Sequence, residues 1–549
     1  MTYPTQGVND DEFFAQLVSG EFTGRRESFI HISPASPQWI FGFLVTKSYL
    51  ISSQISWYYL ILLLTVVLAL TYMTVLISKN SHILIKERII LLVTSFLFLL
   101  WFVPSPTYTS TAFITSLAGI FGFALGIKNR FATRDYIAPS FFLTWGMSIR
   151  TESFYATLFF FIPTIVLWLF ITKQIKHLSG KKVLAIATLP AIVFSLNMFM
   201  DFNHFSKPDW KEYRIFNESR YAIQGNEIER VVSENPMDYG WTETEFNLFE
   251  SYNFVSFESF SGGKLKDVIN KYDQQTNVAG KIKIVDIQKR WSTYFVPFYS
   301  VIYLSLFMIL YFVTYFIVRR QKSTLLQFLI LISVSFILNS ILVFVITVFL
   351  RLPERIVFPI AFFFPMMVLL VASLLEIESN KFVLSLQSLS TSMSILVASI
   401  LLLWPSINHL YSLKINPAYT SFWREQRMFF REIAEDKVLV GNASQFKSIW
   451  SNPYFKNNSP SDLSIYPLGW YTFSPYWIQR GKLLGVNEKS VGKEFLDNSD
   501  IYWVSDEAIV NDLVDLVSKE HSAAVGYKKI GSRSFDYGEY NVYSIVEKR

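Results

Sequence analysis

Apolar stretches long enough to cross a bilayer recur along this chain, and they can be threaded so that the basic connecting loops fall on one face of the membrane. A helical crossing needs about 20 mostly apolar residues. Such windows stand at 57–77, 89–103, 108–127, 153–172, 183–200, 296–318, 323–350, 356–375 and 382–404. The shorter window 137–149 is counted with them, because the alternation of charge requires a crossing there. The pattern therefore predicts a polytopic α-helical membrane protein with about ten transmembrane helices. Composition agrees: 51% of the 549 residues are hydrophobic, only 17% are charged, and the mean hydropathy is +0.32.

Charge sets the orientation. With residues 1–56 outside, the inner loops are 78–88, 128–136, 173–182, 319–322 and 376–381, and they carry fourteen Lys and Arg. The short outer turns 104–107, 150–152 and 351–355 carry three. Cytoplasmic loops collect Lys and Arg, so this threading obeys the positive-inside rule and its reverse violates it. Loop 376–381 departs from the trend, since Glu376 and Glu378 outnumber Lys381. The threading divides the chain into an outer acidic loop with surface helices (1–56), a first bundle (57–200), a large outer loop (201–295), a second bundle (296–404) and an outer C-terminal domain (405–549).

The same placement disposes of the net charge of +6 as a sign of nucleic-acid binding. The cations sit in short loops between spans, with no basic run or RNA-binding motif. There is no cysteine, which excludes disulfides, thiolate catalysis and cysteine metal sites. The six histidines are scattered without metal-ligand spacing. No cleavable signal peptide is expected ahead of residue 10.

Within the outer parts, residues 11–20 predict a short helix carrying Phe13, Phe14, Leu17 and Val18. Residues 38–53 mix Trp39, Ile40, Phe43, Leu44 and Leu50 with polar neighbours, which suits an interfacial amphipathic helix. Residues 227–234 read as helix. The tail reads as a small α/β domain, with helices at 423–435 and 508–521 and strands at 437–440, 501–504 and 541–546. Between them, residues 467–477 are rich in aromatics, Gly and Pro. Such a loop suits stacking on a sugar face, or packing the domain onto the membrane surface.

Two groups of side chains carry potential chemistry. Asp10, Asp11 and Glu12 lie just ahead of a surface helix and the first span. Acids at such a position commonly cap a helix. They also suit a general base that meets a lipid-linked donor at the bilayer surface and takes a proton from an acceptor hydroxyl. The outer turns hold Arg150, with Glu152 two residues on, and Arg351 and Arg355, which bracket Leu352-Pro353-Glu354. Arginines at helix ends snorkel to headgroups or pair with neighbouring acids. A guanidinium also offers a planar fork of donors that fits a phosphate bidentately. Asp201 and His204 follow a span, where ordinary loop polarity and a cleft-lining role both fit.

An acidic pair in the first outer loop, surface helices, alternating spans, a large later outer loop and an extracytoplasmic C-terminal domain together resemble the GT-C glycosyltransferases. These are polytopic enzymes that use polyprenyl-phosphate sugar donors. Their first outer loop carries a DD, DE or ED motif, and both Asp10-Asp11 and Asp11-Glu12 match it. Asn9-Asp10-Asp11 with Ser19-Gly20-Glu21-Phe22-Thr23-Gly24 also resembles an uncharacterised group of bacterial polysaccharide-cluster membrane proteins. So do Trp210-Lys211-Glu212-Tyr213 with Asn217 and Arg220, and Gly469-Trp470 with Ser474-Pro475. Family members place a membrane helix ahead of the acidic motif. Here nine residues precede Asp10, so the expectation is a chain lacking that helix, or one whose reading frame begins further upstream.

The resemblance implies a bacterial cell-membrane enzyme, a polyprenyl-phosphate-linked sugar donor, and a glycan, lipid or protein acceptor. It implies inverting transfer, with Asp10 or Asp11 as the base and Arg150, Arg351 and Arg355 on the departing phosphate. Glu12, Glu152, Asp201, His204 and Trp470 become candidate cleft residues. Some members use a divalent cation at the acidic motif, so Mg²⁺ or Mn²⁺ is a candidate cofactor. Three other classes share the architecture: a polysaccharide polymerase or ligase, a transporter, and a non-catalytic assembly subunit. A transporter fits least well, because ionisable residues inside the spans and internal repeats are not evident.

Overall fold

A computed structural model describes residues 10–30, 38–79, 107–224, 227–275, 299–318, 320–349, 354–375, 417–434, 436–446, 463–486, 491–535 and 538–548. The chain is a polytopic helical membrane protein with a mixed sheet domain at its C-terminal end. Two short helices come first, α1 (Asp10–Ser19) and α2 (Trp39–Ser48). The first set of bundle helices follows: α3 (Trp57–Lys79), α4 (Tyr108–Lys128), α5 (Ile137–Ile149), α6 (Thr151–Ile171) and α7 (Gly180–Phe205). Next come α8 (Pro208–Ile223), α9 (Glu227–Glu234), α10 (Glu243–Glu250), a single turn at Phe257–Phe260, and α11 (Gly262–Gln275). Three more apolar helices are described, α12 (Tyr299–Val318), α13 (Lys322–Phe349) and α14 (Glu354–Leu374).

Among the described residues, five helices are long and apolar enough to cross a membrane: α3, α4, α6, α7 and α13. The expected windows at 296–318 and 356–375 hold α12 and α14, and the short window at 137–149 holds α5. Windows 89–103 and 382–404 lie outside the described residues. Helix α4 is the centre of the bundle, almost wholly buried, whereas α7 is mostly exposed and turns Leu184, Ile192 and Phe199 outward. Exposed side chains of that kind suit contact with lipid rather than water.

Small residues let α4 and α5 approach closely. A Cβ on Gly146 would lie 2.8 Å from the Ser116 nitrogen and 3.0 Å from the Ala112 carbonyl oxygen. One on Gly119 would lie 2.8 Å from the Pro139 carbonyl oxygen. Close approach through small residues is the usual basis of helix association in a bilayer, where the hydrophobic effect does not separate helix from lipid. Polar contacts tie the remaining helices together. Trp145 Nε1 donates to Thr65 Oγ1 (2.9 Å), Ser140 Oγ to the Ile186 carbonyl (3.1 Å), and Thr164 and Ser335 share a hydrogen bond (2.7 Å). Lys128 Nζ donates to the Ser373 and Leu375 carbonyls, at 2.6 and 2.8 Å, and so satisfies the C-terminal end of α14.

The C-terminal part comprises α15 (Pro417–Ile433), β1 (Val438–Asn442), β2 (Ser464–Leu468), α16 (Pro475–Leu484), α17 (Val491–Asp497), β3 (Ile501–Ser505), α18 (Glu507–His521), β4 (Val525–Phe535) and β5 (Gly538–Glu547). The sheet order is β2-β1-β3-β5-β4. Strand β1 pairs in parallel with β2 and β3, while β5 runs antiparallel to both β3 and β4. Alternation assigns the faces. Leu439, Ile465 and Val504 join Phe429 and Phe430 of α15 in one core, while Val440, Tyr466 and Trp503 point into the other. A sheet covered on both faces reads as near-continuous apolar strands, as these do.

That second core is shared. It joins α1, α2, the first turns of α3 and α4 (Tyr58, Tyr108), the last residues of α5 and α7 (Ile149, Phe205), the α8–α11 segment and the C-terminal sheet. These polar parts therefore form a single extramembrane body on one end of the bundle. Contacts fix the middle segment to the sheet domain: Asn442 Nδ2 donates to the Ser251 carbonyl (2.5 Å), and Ser256 and Ser259 both donate to Glu520 Oε1. The aromatic stretch at 467–477 departs from both expectations. It forms the end of β2, a tight turn and the start of α16, and buries Tyr471, Phe473, Tyr476 and Trp477 inside this body.

Candidate active site

Helix α1 forms because its acids occupy the first turn, where the helix dipole favours negative charge, and because Phe13, Phe14, Leu17 and Val18 make one buried stripe. It stops at Gly20, whose φ of +85° suits glycine and brings its N–H back to the Gln16 carbonyl (3.1 Å). The stripe seats the helix against the C-terminal domain. Phe13 stacks on Tyr471, with centroids 4.3 Å apart and planes within 4°, and meets Trp470 edge-on at 5.5 Å.

The two aspartates have different surroundings. Asp11 is 1% exposed, and its Oδ1 accepts from Tyr58 Oη (2.7 Å) and from the Tyr108 backbone N–H (2.8 Å). Tyr108 is the first residue of α4, and the first N–H groups of a helix have no partner inside it. Asp11 therefore pins α1 to the tops of α3 and α4. Asp10 is partly exposed, and its Oδ2 lies 3.3 Å from Tyr108 Oη, which donates to it. Glu12 is also partly exposed.

Arg150 meets the same tyrosine. It sits in extended backbone between α5 and α6, is 8% exposed, and holds its guanidinium carbon 4.8 Å from the centre of the Tyr108 ring. Its Nη1 donates to Thr109 Oγ1. Glu152 Oε2 is 3.7 Å from Arg150 Nε, and that buried nitrogen makes no hydrogen bond among the described residues. One aromatic ring thus bears a guanidinium on its face and an acid at its hydroxyl. Tyr58, Tyr108 and Thr109 were not singled out by sequence. The available signal was a tyrosine within the first two residues of each of the apolar windows 57–77 and 108–127.

Helix α8 meets the C-terminal domain beside α1. Tyr213 Oη donates to the Trp470 carbonyl (2.9 Å), and Trp470 is partly buried. Burial pushes the Tyr213 phenol well above its usual range; Arg220 pulls it back, and the charge of Asp10 adds to the rise. Tyr471 is raised in the same way by burial, with a smaller push from Glu12.

Asp201 and His204 have another task. Asp201 Oδ2 accepts from the Gln38 N–H (3.0 Å), and Asn197 Oδ1 from the Ile40 N–H (2.9 Å), so the end of α7 caps the start of α2. His204 stacks on Phe29 at 3.8 Å, with Nε2 3.4 Å from Tyr476 Oη. These contacts anchor the chain between α1 and α2. Arg351 lies outside the described residues; Arg355 falls in the first turn of α14, and its side chain lies outside them too. Among the described residues, no three His, Asp or Glu side chains converge as cation ligands, and Asp11 is already committed to Tyr58 and Tyr108. The donor set therefore does not fit a dedicated metal site.

No family model and no curated protein matches the chain. Its structure is similar to that of ArnT from Cupriavidus metallidurans in the apo state. The match covers 98% of this chain and 95% of that one, at 11% identity and a TM-score of 0.44. It is similar also to ArnT from Cupriavidus metallidurans bound to undecaprenyl phosphate, covering 98% and 94% at 11% identity and a TM-score of 0.40.

Proposed function

We propose that this chain is an integral-membrane glycosyltransferase that moves a sugar from a polyprenyl-phosphate-linked donor to a glycan, lipid or protein acceptor outside the cytoplasm. One observation carries the reading: Asp10 and the buried Arg150 meet on a single ring, Tyr108, at the membrane end of the extramembrane body. A lipid-bound phosphate cannot leave the bilayer surface, so base and cation must both wait for it there. The charge bias of the loops puts this end outside and the basic loops inside.

In this mechanism Asp10 is the base, because Asp11 is fully engaged in holding α1. Asp10 takes the proton of an acceptor hydroxyl as its oxygen attacks the anomeric carbon. The bond from that carbon to the donor phosphate oxygen breaks, the configuration inverts, and the polyprenyl phosphate departs with the electron pair. Arg150, fixed by Thr109 and the Tyr108 ring, neutralises the charge that develops on the phosphate. A preorganised donor of this kind is worth about 3 kcal/mol in the barrier. Arg351 and Arg355 are further candidates for the phosphate clamp, and Glu12, Glu152 and Trp470 for the cleft wall. No step is routed through a metal.

The test uses the full chain in proteoliposomes with a labelled undecaprenyl-phosphate-linked sugar and an extracted cell-envelope acceptor. Transfer by the wild type and its loss in Asp10→Asn are expected. Undiminished transfer by Asp10→Asn rejects the base. A wild type that moves the lipid across the bilayer, or joins glycan chains, without transferring the sugar rejects the class.

A further inference from the structure

Two sequence motifs singled out above, residues 19–24 and the Ser474-Pro475 pair, meet in space, and the catalytic reading does not use their contact. Ser474 caps α16 by accepting the Trp477 N–H (3.2 Å), which fixes where that helix starts and which face it presents. Four of its side chains, at positions 476, 479, 480 and 483, follow the spacing of one helical face. All four touch the irregular chain after α1. Tyr476 Oη donates to the Phe29 carbonyl (2.9 Å), Gln479 Nε2 to the Thr23 carbonyl (2.8 Å), and Arg480 Nη1 to the Glu21 carbonyl (3.3 Å). Leu483 packs on Gly24, where a Cβ would come within 3.1 Å of Leu483 Cδ1. Arg480 Nε also donates to the Ile465 carbonyl (3.0 Å), so this side chain bridges strand β2 and the loop.

Carbonyls in chain with neither helix nor sheet need partners when buried. Here one helix of the C-terminal domain supplies them in sequence. The held loop folds back on α1, with the Phe22 N–H on the Gln16 carbonyl (3.3 Å) and the Glu27 N–H on the Leu17 carbonyl (2.9 Å). The loop therefore braces the C-terminal half of α1, beside the Asp11 and Phe13 contacts that seat the helix whose first residue is Asp10.

We propose that α16 is a positioning element of the acidic site: through Gln479 and Arg480 the C-terminal domain clamps the loop behind α1 and so holds Asp10 in place. This rests on the glycosyltransferase reading only for its effect on turnover. Gln479 and Arg480 bond to the loop and to β2, whereas Arg150, on the phosphate side of the site, is held by Thr109 and the Tyr108 ring of the bundle.

The experiment takes the full chain in lipid nanodiscs and compares wild type with the double variant Gln479→Leu, Arg480→Met. Amide exchange at Phe22 and Glu27 should quicken by about tenfold or more, while exchange in α4 and α5 stays unchanged. Turnover should fall by about tenfold or more, with undecaprenyl phosphate binding within about twofold of wild type, because Arg150 is untouched. Unchanged exchange at Phe22 and Glu27 overturns the proposal. So does quickened exchange with full turnover, or turnover and binding that fall together. If the double variant does not fold, Gln479→Ala, which removes a single bond, is read by the same criteria. A wild type that neither binds undecaprenyl phosphate nor transfers sugar sinks the functional reading, while the exchange measurement still decides the clamp.

Discussion

Replacing Asp11 with alanine separates its role from that of Asp10. The wild-type carboxylate accepts two hydrogen bonds in a buried site, from Tyr58 Oη and the Tyr108 N–H. A hydrogen bond to a charged group contributes about 1.5–3 kcal/mol, and removing the acceptor leaves both donors buried without partners. The loss should be about 3–6 kcal/mol. Asp11→Asn keeps one acceptor oxygen and forfeits only the charge, so about 1–2 kcal/mol is expected. Asp10→Asn, at a partly exposed site with the Tyr108 hydroxyl at 3.3 Å, should cost less than Asp11→Ala and still abolish transfer. Unfolding in mixed detergent micelles, followed by tryptophan fluorescence, ranks the three. Equal stabilities for Asp11→Ala and Asp10→Asn would refute the division of labour, as would an Asp11→Asn enzyme that is fully stable yet as inactive as Asp10→Asn.

Arg150→Ala should lower transfer by about a hundredfold and weaken undecaprenyl phosphate binding, with little change in acceptor KM; steady-state kinetics against both substrates reads this. Gly146→Leu forces a side chain onto the Ser116 nitrogen and the Ala112 carbonyl oxygen. It should destabilise the bundle by about 1–3 kcal/mol or more, seen as a lowered midpoint in the same micelle assay. Glu27 is raised from 4.5 by burial, against the pull of Arg25. Folded, it binds its proton more tightly than unfolded, so its contribution is fully present below about 4.5 and is lost as pH rises through the raised folded value. Glu27→Gln should flatten that part of the stability profile in a pH series of thermal melts.

The bundle was legible in the sequence because a bilayer tests each segment by itself. Charge alternation predicts a crossing at 137–149; a helix, α5, does occupy Ile137–Ile149, but it is not among the helices long enough to cross by itself. Helix α1 was legible from its acids and its apolar stripe. Strands β2 and β4 were missed, and both are sheet edges. Pro467 breaks the pattern of the first, and the lysines and glycines of Val525–Phe535 hide the second, as edge strands allow. Residues 467–477 were legible as aromatic but not as interior, because their partners on α1 and α8 lie hundreds of residues away.

The sequence by itself determined that this chain is a helical membrane protein with several apolar spans and a mixed sheet domain at its C-terminal end. Period, length and charge are properties of single segments, and hydrocarbon enforces them one segment at a time. Only the tertiary structure decided that Asp11 is buried as a strut while Asp10 is partly exposed at the Tyr108 hydroxyl, that Arg150 shares the Tyr108 ring, and that Asp201 accepts from Gln38 while His204 stacks on Phe29. Those roles depend on which donor reaches which acceptor across 97 or 163 residues of chain. Adjacent aspartates are alike in sequence and become different only when one is buried between Tyr58 and the Tyr108 N–H and the other stays partly exposed at the Tyr108 hydroxyl.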